Sequence, residues 1–539
     1  MEGYRTIDVA HALVRAASAL LPTHGRSREC EPGTEECVRH GPTRRAFLVG
    51  APGLLLARKT DRPIAGGFVN DSFGLGHRLR DRAAFRAPRR QVRVPIVIVG
   101  GGIAGLSAAW HLDKRGFRDF VLLEMESQAG GNSRWGENEV TRFPWAAHYV
   151  PVPAKGESLA RELFEELGVL RDGKWDERAL CFAPQERLFM HGRWQEGIEP
   201  EAGTQRDAEQ HRRFAEKLND FRATGEFTIP MDRGAKASPL DQMSMADWLA
   251  SERFDSPTLR WYVDYACRDD YGALAKDTSA WAGIHYFASR EPEEKGPLTW
   301  PEGNGWIAQR LGEKLKRYIR AGSPVYRIKR DDRRLHVFTE EIEYISEAVV
   351  FAAPTFLAAY LIEGAPRVDD FQYSPWLTAN LTLDRVPQQK GAEPAWDNVI
   401  YDSPALGYVN ATHMTLATHV DRTVWTFYWS LAEYKTSEAR ASLLAKDWNY
   451  WKEAILNDLT RAHPDLRQCV ARLDIMRMGH AMVRPVPTFL FSKSRLRWGK
   501  PDGNVFFANS DLSGFSIFEE AQYRGVAAAK GALHMLSRS

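Results

Sequence analysis

The chain has 539 residues, 44% hydrophobic and 26% charged, the composition of a globular protein rather than a disordered or collagen-like one. Five cysteines in that length exclude a disulfide scaffold, and Cys30, Cys37, Cys181, Cys267 and Cys469 lack the spacing of a zinc site. The net charge of +2 conceals an uneven distribution: residues 1–93 hold 17 Lys and Arg against 9 Asp and Glu, the remainder 55 against 61, so nothing argues for nucleic acid as a partner.

The basic segment reads as an address. Thr43-Arg44-Arg45-Ala46-Phe47-Leu48 opens an uncharged run that ends at Ala57. The run is too short to span a bilayer, which needs roughly 20 apolar residues. It fits a twin-arginine export signal, a route taken by proteins that fold around a cofactor before export. The expected location is therefore the periplasm, or otherwise the cytoplasm. No transmembrane span is expected, although the leader leaves peripheral membrane association open. Residues 58–93 read as a linker and a short docking segment.

Val94-Pro95-Ile96-Val97-Ile98-Val99 has the apolar, β-branched pattern of a strand buried on both faces. It runs into Gly100-Gly101-Gly102-Ile103-Ala104-Gly105 and an Ala-rich helix. In this G-x-G-x-x-G, Gly100 makes the turn, Gly102 admits a pyrophosphate and Gly105 lets the helix approach the sheet. Amides at the helix N-terminus, with Ile103 and Ala104, attract phosphate. A second strand, Phe120-Val121-Leu122-Leu123, ends in Glu124, placed to accept hydrogen bonds from a ribose diol.

After Glu124 come Gly130-Gly131-Asn132 and then Phe143-Pro144-Trp145-Ala146-Ala147-His148-Tyr149-Val150. Here the chain resembles the FAD-dependent amine oxidase and phytoene desaturase superfamily. Gly130 and Gly131 match its Gly-Gly pair beside the diphosphate, with Asn132 where Arg is usual. Ala147 and His148 match the stretch passing the flavin ring. Further landmarks follow in family order. They are Trp300-Pro301-Glu302-Gly303-Asn304-Gly305, Ser323-Pro324-Val325 and Ala348-Val349-Val350-Phe351-Ala352-Ala353-Pro354. The last is Gly503 to Asp511, before a helix from about Ile517 to Met535. The resemblance implies that Val325 reads the adenine edge and Asp511 the ribityl or pyrophosphate side. It also implies that amides near Ile517 and Phe518 face the flavin.

The implied fold is α/β. A discontinuous Rossmann-type FAD domain (94–153, 300–365 and 495–539) is interleaved with an α+β substrate domain on an antiparallel sheet (154–299 and 366–494). A leader occupies 1–93. Gly479-His480 stands where covalently flavinylated relatives carry Cys, so noncovalent FAD is expected. His480 and His148 are the catalytic candidates, and Arg484 is a candidate for an anionic group. His285 and Asp269 are weighed against ordinary core roles. The lysine that many amine oxidases hold near the flavin has no clear counterpart, Lys390 being nearest. The expected activity is hydride transfer from a substrate C–H, preferably in an amine or polyamine, to flavin, with O2 or a redox partner as electron acceptor. The alternatives are a desaturase or isomerase on an apolar substrate, a nicotinamide dehydrogenase, and a non-catalytic flavin scaffold.

Overall fold

In the computed structural model, residues 62–538 are described apart from 70–71, 82, 157, 291–295, 332 and 418. The Arg44-Arg45 stretch lies outside the described residues. All described residues fall within one contact unit. Among them no helix is long and apolar enough to cross a membrane.

The apolar run after Val94 becomes the middle strand of a five-stranded parallel sheet. Its order is Ile319–Arg320, Phe120–Leu123, Ile96–Val99, Ala348–Phe351, Val505–Phe507. Every residue of Ile96–Val99, Phe120–Leu123 and Ala348–Phe351 is buried. That is why these segments read as unbroken hydrophobic runs rather than alternating ones. Helices Ile103–Lys114 and Phe518–Leu536 pack on this sheet. The three chain segments that the glycine, proline and aspartate motifs punctuate thus meet side by side.

A second, eight-stranded sheet runs Ala65–Phe68, Val470–Arg484, Gln372–Leu383, Thr423–Trp429, Gly407–Asn410, Asp397–Ile400, Glu186–Met190, Arg193–Glu196. The sequence suggests an antiparallel sheet, but the observed one is mixed. Ala65–Phe68 lies parallel to Val470–Arg484, and Asp397–Ile400 parallel to Glu186–Met190. Both parallel partners arrive from distant chain segments, and long connections allow either direction. Ala65–Phe68 lies in the stretch expected as linker and docking segment. So do helix Phe73–Arg80 and strand Arg90–Arg93, which pairs with Ile342–Ser346.

Helices Gln205–Ala223, Met245–Ser251, Pro257–Tyr271 and Ala280–Ala288 pack on one another as a helical layer. Three of these starts, all but that of Ala280–Ala288, carry side-chain caps. Ser244 and Asp247 form a reciprocal capping box, and Ser256 caps a helix with Pro257 in its first turn.

Pro375 interrupts the long Gln372–Leu383 strand. It has no N–H for the ladder, and the register slips there: Ser374 pairs with Met482, but Trp376 pairs with Met478. Gly479, His480 and Ala481 are left as a bulge opposite Pro375.

Candidate active site

The strand–glycine–helix unit builds one wall of a cleft of about 340 Å³. A Cβ at Gly105 would stand 1.9 Å from the Gly100 carbonyl oxygen, so only glycine lets the helix start this close. Gly131 has φ +58, and its Cβ would lie 3.1 Å from Gly102 Cα. The second glycine pair therefore closes against the first and leaves a backbone-lined floor. Glu124 terminates its strand inside this wall. Its carboxylate accepts from Gly101 N (2.6 Å) and Glu126 N (2.8 Å), while burial pushes its pKa up.

The opposite wall comes from the C-terminal motif. Asp511, 2% exposed, accepts from Thr355 N (2.7 Å), Thr355 Oγ1 (2.6 Å) and Tyr373 OH (2.7 Å). Burial raises its pKa against these three donors. Helix Phe518–Leu536 starts at Ile517 without a side-chain cap, as does helix Ile103–Lys114 at Gly102. Residues of both helix starts line the cleft. Helix N-termini carry orphan N–H groups and partial positive charge, so the cleft is built for a polar, negatively charged ligand.

A smaller side cavity of about 130 Å³ adjoins it. Asn132, Ala147, Asn304, Ala481, Ile517 and Phe518 line both spaces and mark the junction. His148, Trp376, Tyr428, Met478 and Met482 form the aromatic and thioether wall of the cavity, and Asp269, Asp270 and Arg290 its charged part. A further hollow of about 270 Å³ shares Pro151, Ile229, Arg290 and Glu519 with it. Asp270 pairs with Arg290 at 3.1 Å. Asp269 has no such partner among the described residues; burial first, and the neighbouring Asp270 charge second, push its pKa up to about 7. Asp397, at the start of its strand, is also raised well above the usual carboxyl range by burial and by Glu186 and Asp269.

The two histidine candidates occupy different spaces. His148 Nδ1 lies 3.1 Å from Ala146 O, and its ring stacks on Tyr428 at 4.7 Å. Burial lowers its pKa to about 4. It lines the side cavity and not the main cleft. His480 emerges from the bulge into the main cleft, stacked on Phe356 at 4.5 Å and not lining the side cavity. Its ring keeps surface open to the cleft, yet crowding by the protein, with Arg440 nearby, lowers its pKa to about 4.

Gly100, Gly102, Ile103, Ala104, Glu124, Gly130, Gly131, Asn132, Ala147, Val325, Asp511, Ile517 and Phe518 line the main cleft. Gly105 does not; it acts through packing. Val325 precedes its strand, which begins at Arg327. His285 is a core residue, stacked on Phe515 at 4.6 Å with Nε2 2.9 Å from Thr228 O. Arg484, 5% exposed, lines neither space. Lys390 also stands apart, its carbonyl accepting from Trp194 N. No lysine or cysteine lines either space among the described residues.

Sequence reasoning missed Arg134, Tyr373 and Leu79 in the cleft, and Thr355, which supports the cleft from behind by donating to Asp511. Arg134, two residues past the position where the resembling family carries Arg, restores a cation there. It bonds Gly131 O at 3.1 Å and pairs with Glu126 at 3.3 Å. Thr355 follows Pro354 at a strand end and was findable. Tyr373 carried no local signal.

A family model of the NAD(P)-binding Rossmann-like domain matches residues 98–167. Baeyer–Villiger monooxygenase peniC of Penicillium patulum is 33% identical over 96 residues, 18% of this chain and 14% of that protein. Mitochondrial dimethylglycine dehydrogenase of Rattus norvegicus is 35% identical over 81 residues, 15% of this chain and 10% of its own length. The chain thus matches less than a fifth of the length of these relatives. Solved structures extend much further. Putrescine oxidase bound to putrescine superposes with a TM-score of 0.62 at 16% identity, over 82% of this chain and 100% of its own. Cyclohexylamine oxidase from Brevibacterium oxydans gives 0.62 at 15%, over 82% and 99%. A CLA-producing fatty acid isomerase from P. acnes gives 0.60 at 16%, over 81% and 98%. The α/β architecture is therefore the fold that the sequence motifs resemble, shared by structures whose names span amine oxidation and fatty acid isomerisation.

Proposed function

We propose that this chain is an FAD-dependent oxidoreductase acting on an amine, with a diamine or polyamine as the preferred class. The cleft fits FAD: two uncapped helix starts, a glycine floor, Glu124 at the strand end and Arg134 lie along one cavity. Glu124 suits the ribose diol, and the amides at Gly102–Ala104 with Arg134 suit the diphosphate. The absence of cysteine from the lining supports noncovalent attachment. When bound, the flavin supplies the acceptor for a hydride from the C–H beside the substrate nitrogen.

The observation that carries the amine reading is the side cavity. It places Asp269 and Asp270 against aromatic walls, and among the described residues of its lining Arg290 is the cation that offsets them. Carboxylates and aromatic faces both favour an organic cation. Asp269, poised near neutrality, ionises as the cation arrives and holds it. His148 stays neutral at working pH. With Nδ1–H donated to Ala146 O it leaves Nε2 as an acceptor. Tyr428 and Trp376 exclude water from the space.

The lack of a lining lysine favours a redox partner over O2 as electron acceptor, which slow reoxidation in air-saturated buffer would bear out. Export through the Arg44-Arg45 signal is part of the same proposal and suits a protein that folds around its cofactor. The test is an absorbance spectrum of the purified protein, with FAD released by acid, followed by anaerobic addition of mono-, di- and polyamines. Bleaching by amines sustains the reading. Bleaching only by detergent-dispersed lipid shifts it to a desaturase or isomerase, and a colourless protein that FAD cannot reconstitute ends it.

A further inference from the structure

Two carboxamides stand at the junction of cleft and side cavity, and both are oriented by the same device. Asn132 Nδ2 donates to Ala481 O at 2.8 Å, and Asn304 Nδ2 donates to Tyr149 O at 2.9 Å. A backbone carbonyl can only accept, so in each case one amide hydrogen is committed and the side-chain oxygen remains an acceptor. Asn304 is 3% exposed, and its Oδ1 is buried without a protein partner among the described residues. Buried acceptors are nearly always satisfied, so an orphan at the wall of two cavities calls for a donor from a ligand. The surroundings hold Asn304 rigidly. Its backbone N–H donates to Ala147 O at 3.1 Å, and its own carbonyl receives the first amides of helix Gly305–Leu315. Neither asparagine follows the family pattern that the chain resembles: one stands in place of Arg, the other within a glycine turn.

We propose that Asn132 and Asn304 form an acceptor pair that recognises the N–H of the substrate nitrogen at the junction of the cleft and the side cavity. The inference rests on the amine reading and sharpens it. The carboxylates of the side cavity select positive charge. The carboxamide oxygens select a nitrogen that bears hydrogen, and so discriminate primary and secondary amines from quaternary ones. A substrate carboxylate or an apolar chain would leave both oxygens unpaired, which disfavours either group at this place.

The test uses the holoprotein and two cations of nearly equal size that lack an oxidisable C–H beside N–H: tert-butylammonium and tetramethylammonium. Binding is followed by the change in the visible flavin spectrum and by calorimetry. The wild-type protein is expected to bind tert-butylammonium about tenfold or more tightly than tetramethylammonium, the scale of one hydrogen bond to a charged donor. Asn304→Leu, and independently Asn132→Leu in the open cleft, are expected to shrink that ratio severalfold, each ratio being measured on variant protein saturated with added FAD. A ratio unchanged in both variants overturns the inference, as does a wild-type protein that does not discriminate. Amines that bleach the flavin while neither cation binds also overturn it. A wild-type protein that no amine bleaches removes the amine reading itself, so the two failures are told apart.

Discussion

The main cleft and the side cavity meet at Asn132 and Asn304 but are made of different material. The cleft is largely backbone: glycine turns, two uncapped helix starts and strand ends supplied by three chain segments. The cavity is side chain: aromatic faces, two methionines, a carboxylate pair and an arginine brought from helix, strand and loop. Backbone sites recognise what dinucleotides have in common, and their residues are constrained by conformation. Side-chain sites recognise what substrates do not have in common, and their residues are constrained only by one another. The difference predicts how each region fails.

The largest effect belongs to the cleft. Gly102→Leu places a branched side chain on its floor, where a Cβ would have only Gly131 Cα near it, at 3.9 Å. The fold tolerates it and the cofactor does not. FAD retention is expected to weaken about a hundredfold, or about 2.8 kcal/mol at 1.4 kcal/mol per decade, with the circular dichroism unchanged. A bright yellow variant would show that the floor is not where the diphosphate lies.

In the cavity, Asp269→Asn is expected to raise KM for a diamine at least about tenfold and, with the opposite sign, to stabilise the protein. The Asp269 pKa is raised in the folded state to about 7. The native protein therefore binds this proton more tightly than the unfolded chain does. Its stability contribution is fully present below the unfolded carboxyl pKa of about 4 and is lost as pH rises through 7. The variant should melt several degrees above wild type at pH 8 and level with it at pH 4, as differential scanning fluorimetry would read. For wild type, cation binding releases the same proton, so KM falls between pH 6 and 8. A carboxylate that impairs stability is expected where function holds it.

Tyr373→Phe sits between the two regions in size of effect. It removes one of three donors from the buried Asp511 carboxylate, at a cost of about 1–3 kcal/mol. Thermal denaturation is expected to show it with and without FAD, because the donor serves the carboxylate and not the ligand.

What could be read in advance follows the same division. Gly102, Glu124, Gly131, Asp511 and the start of helix Phe518–Leu536 lie in the cleft because backbone chemistry is written locally, in glycines, strand ends and caps. Asp269 was visible only as half of an acidic pair, and Asp397 not at all. Nothing near either residue tells that Pro257–Tyr271 and Asp397–Ile400 will converge. His480 reached the cleft through a bulge opposite Pro375, about a hundred positions earlier in the chain. Register between distant strands is a tertiary fact, and so is the edge strand Ala65–Phe68, hidden in an Arg-rich stretch that reads as linker.

The smallest expected effect is a null, and it bears on both histidines. His148 and His480 are each lowered to about 4 by burial, one in the cavity and one in the cleft. Between pH 5.5 and 9 neither should change charge, and their ring resonances should not shift in an NMR titration of the holoprotein. The acidic limb of a pH–rate profile in that range then belongs to Asp269, and it should survive His148→Asn and disappear in Asp269→Asn. If a histidine titrates near 6.5 instead, the space around it is wetter than its packing on Tyr428 or Phe356 implies. The pH dependence then passes from the side-chain cavity's carboxylate to an imidazole, and with it the assignment of which group yields its proton to an arriving cation.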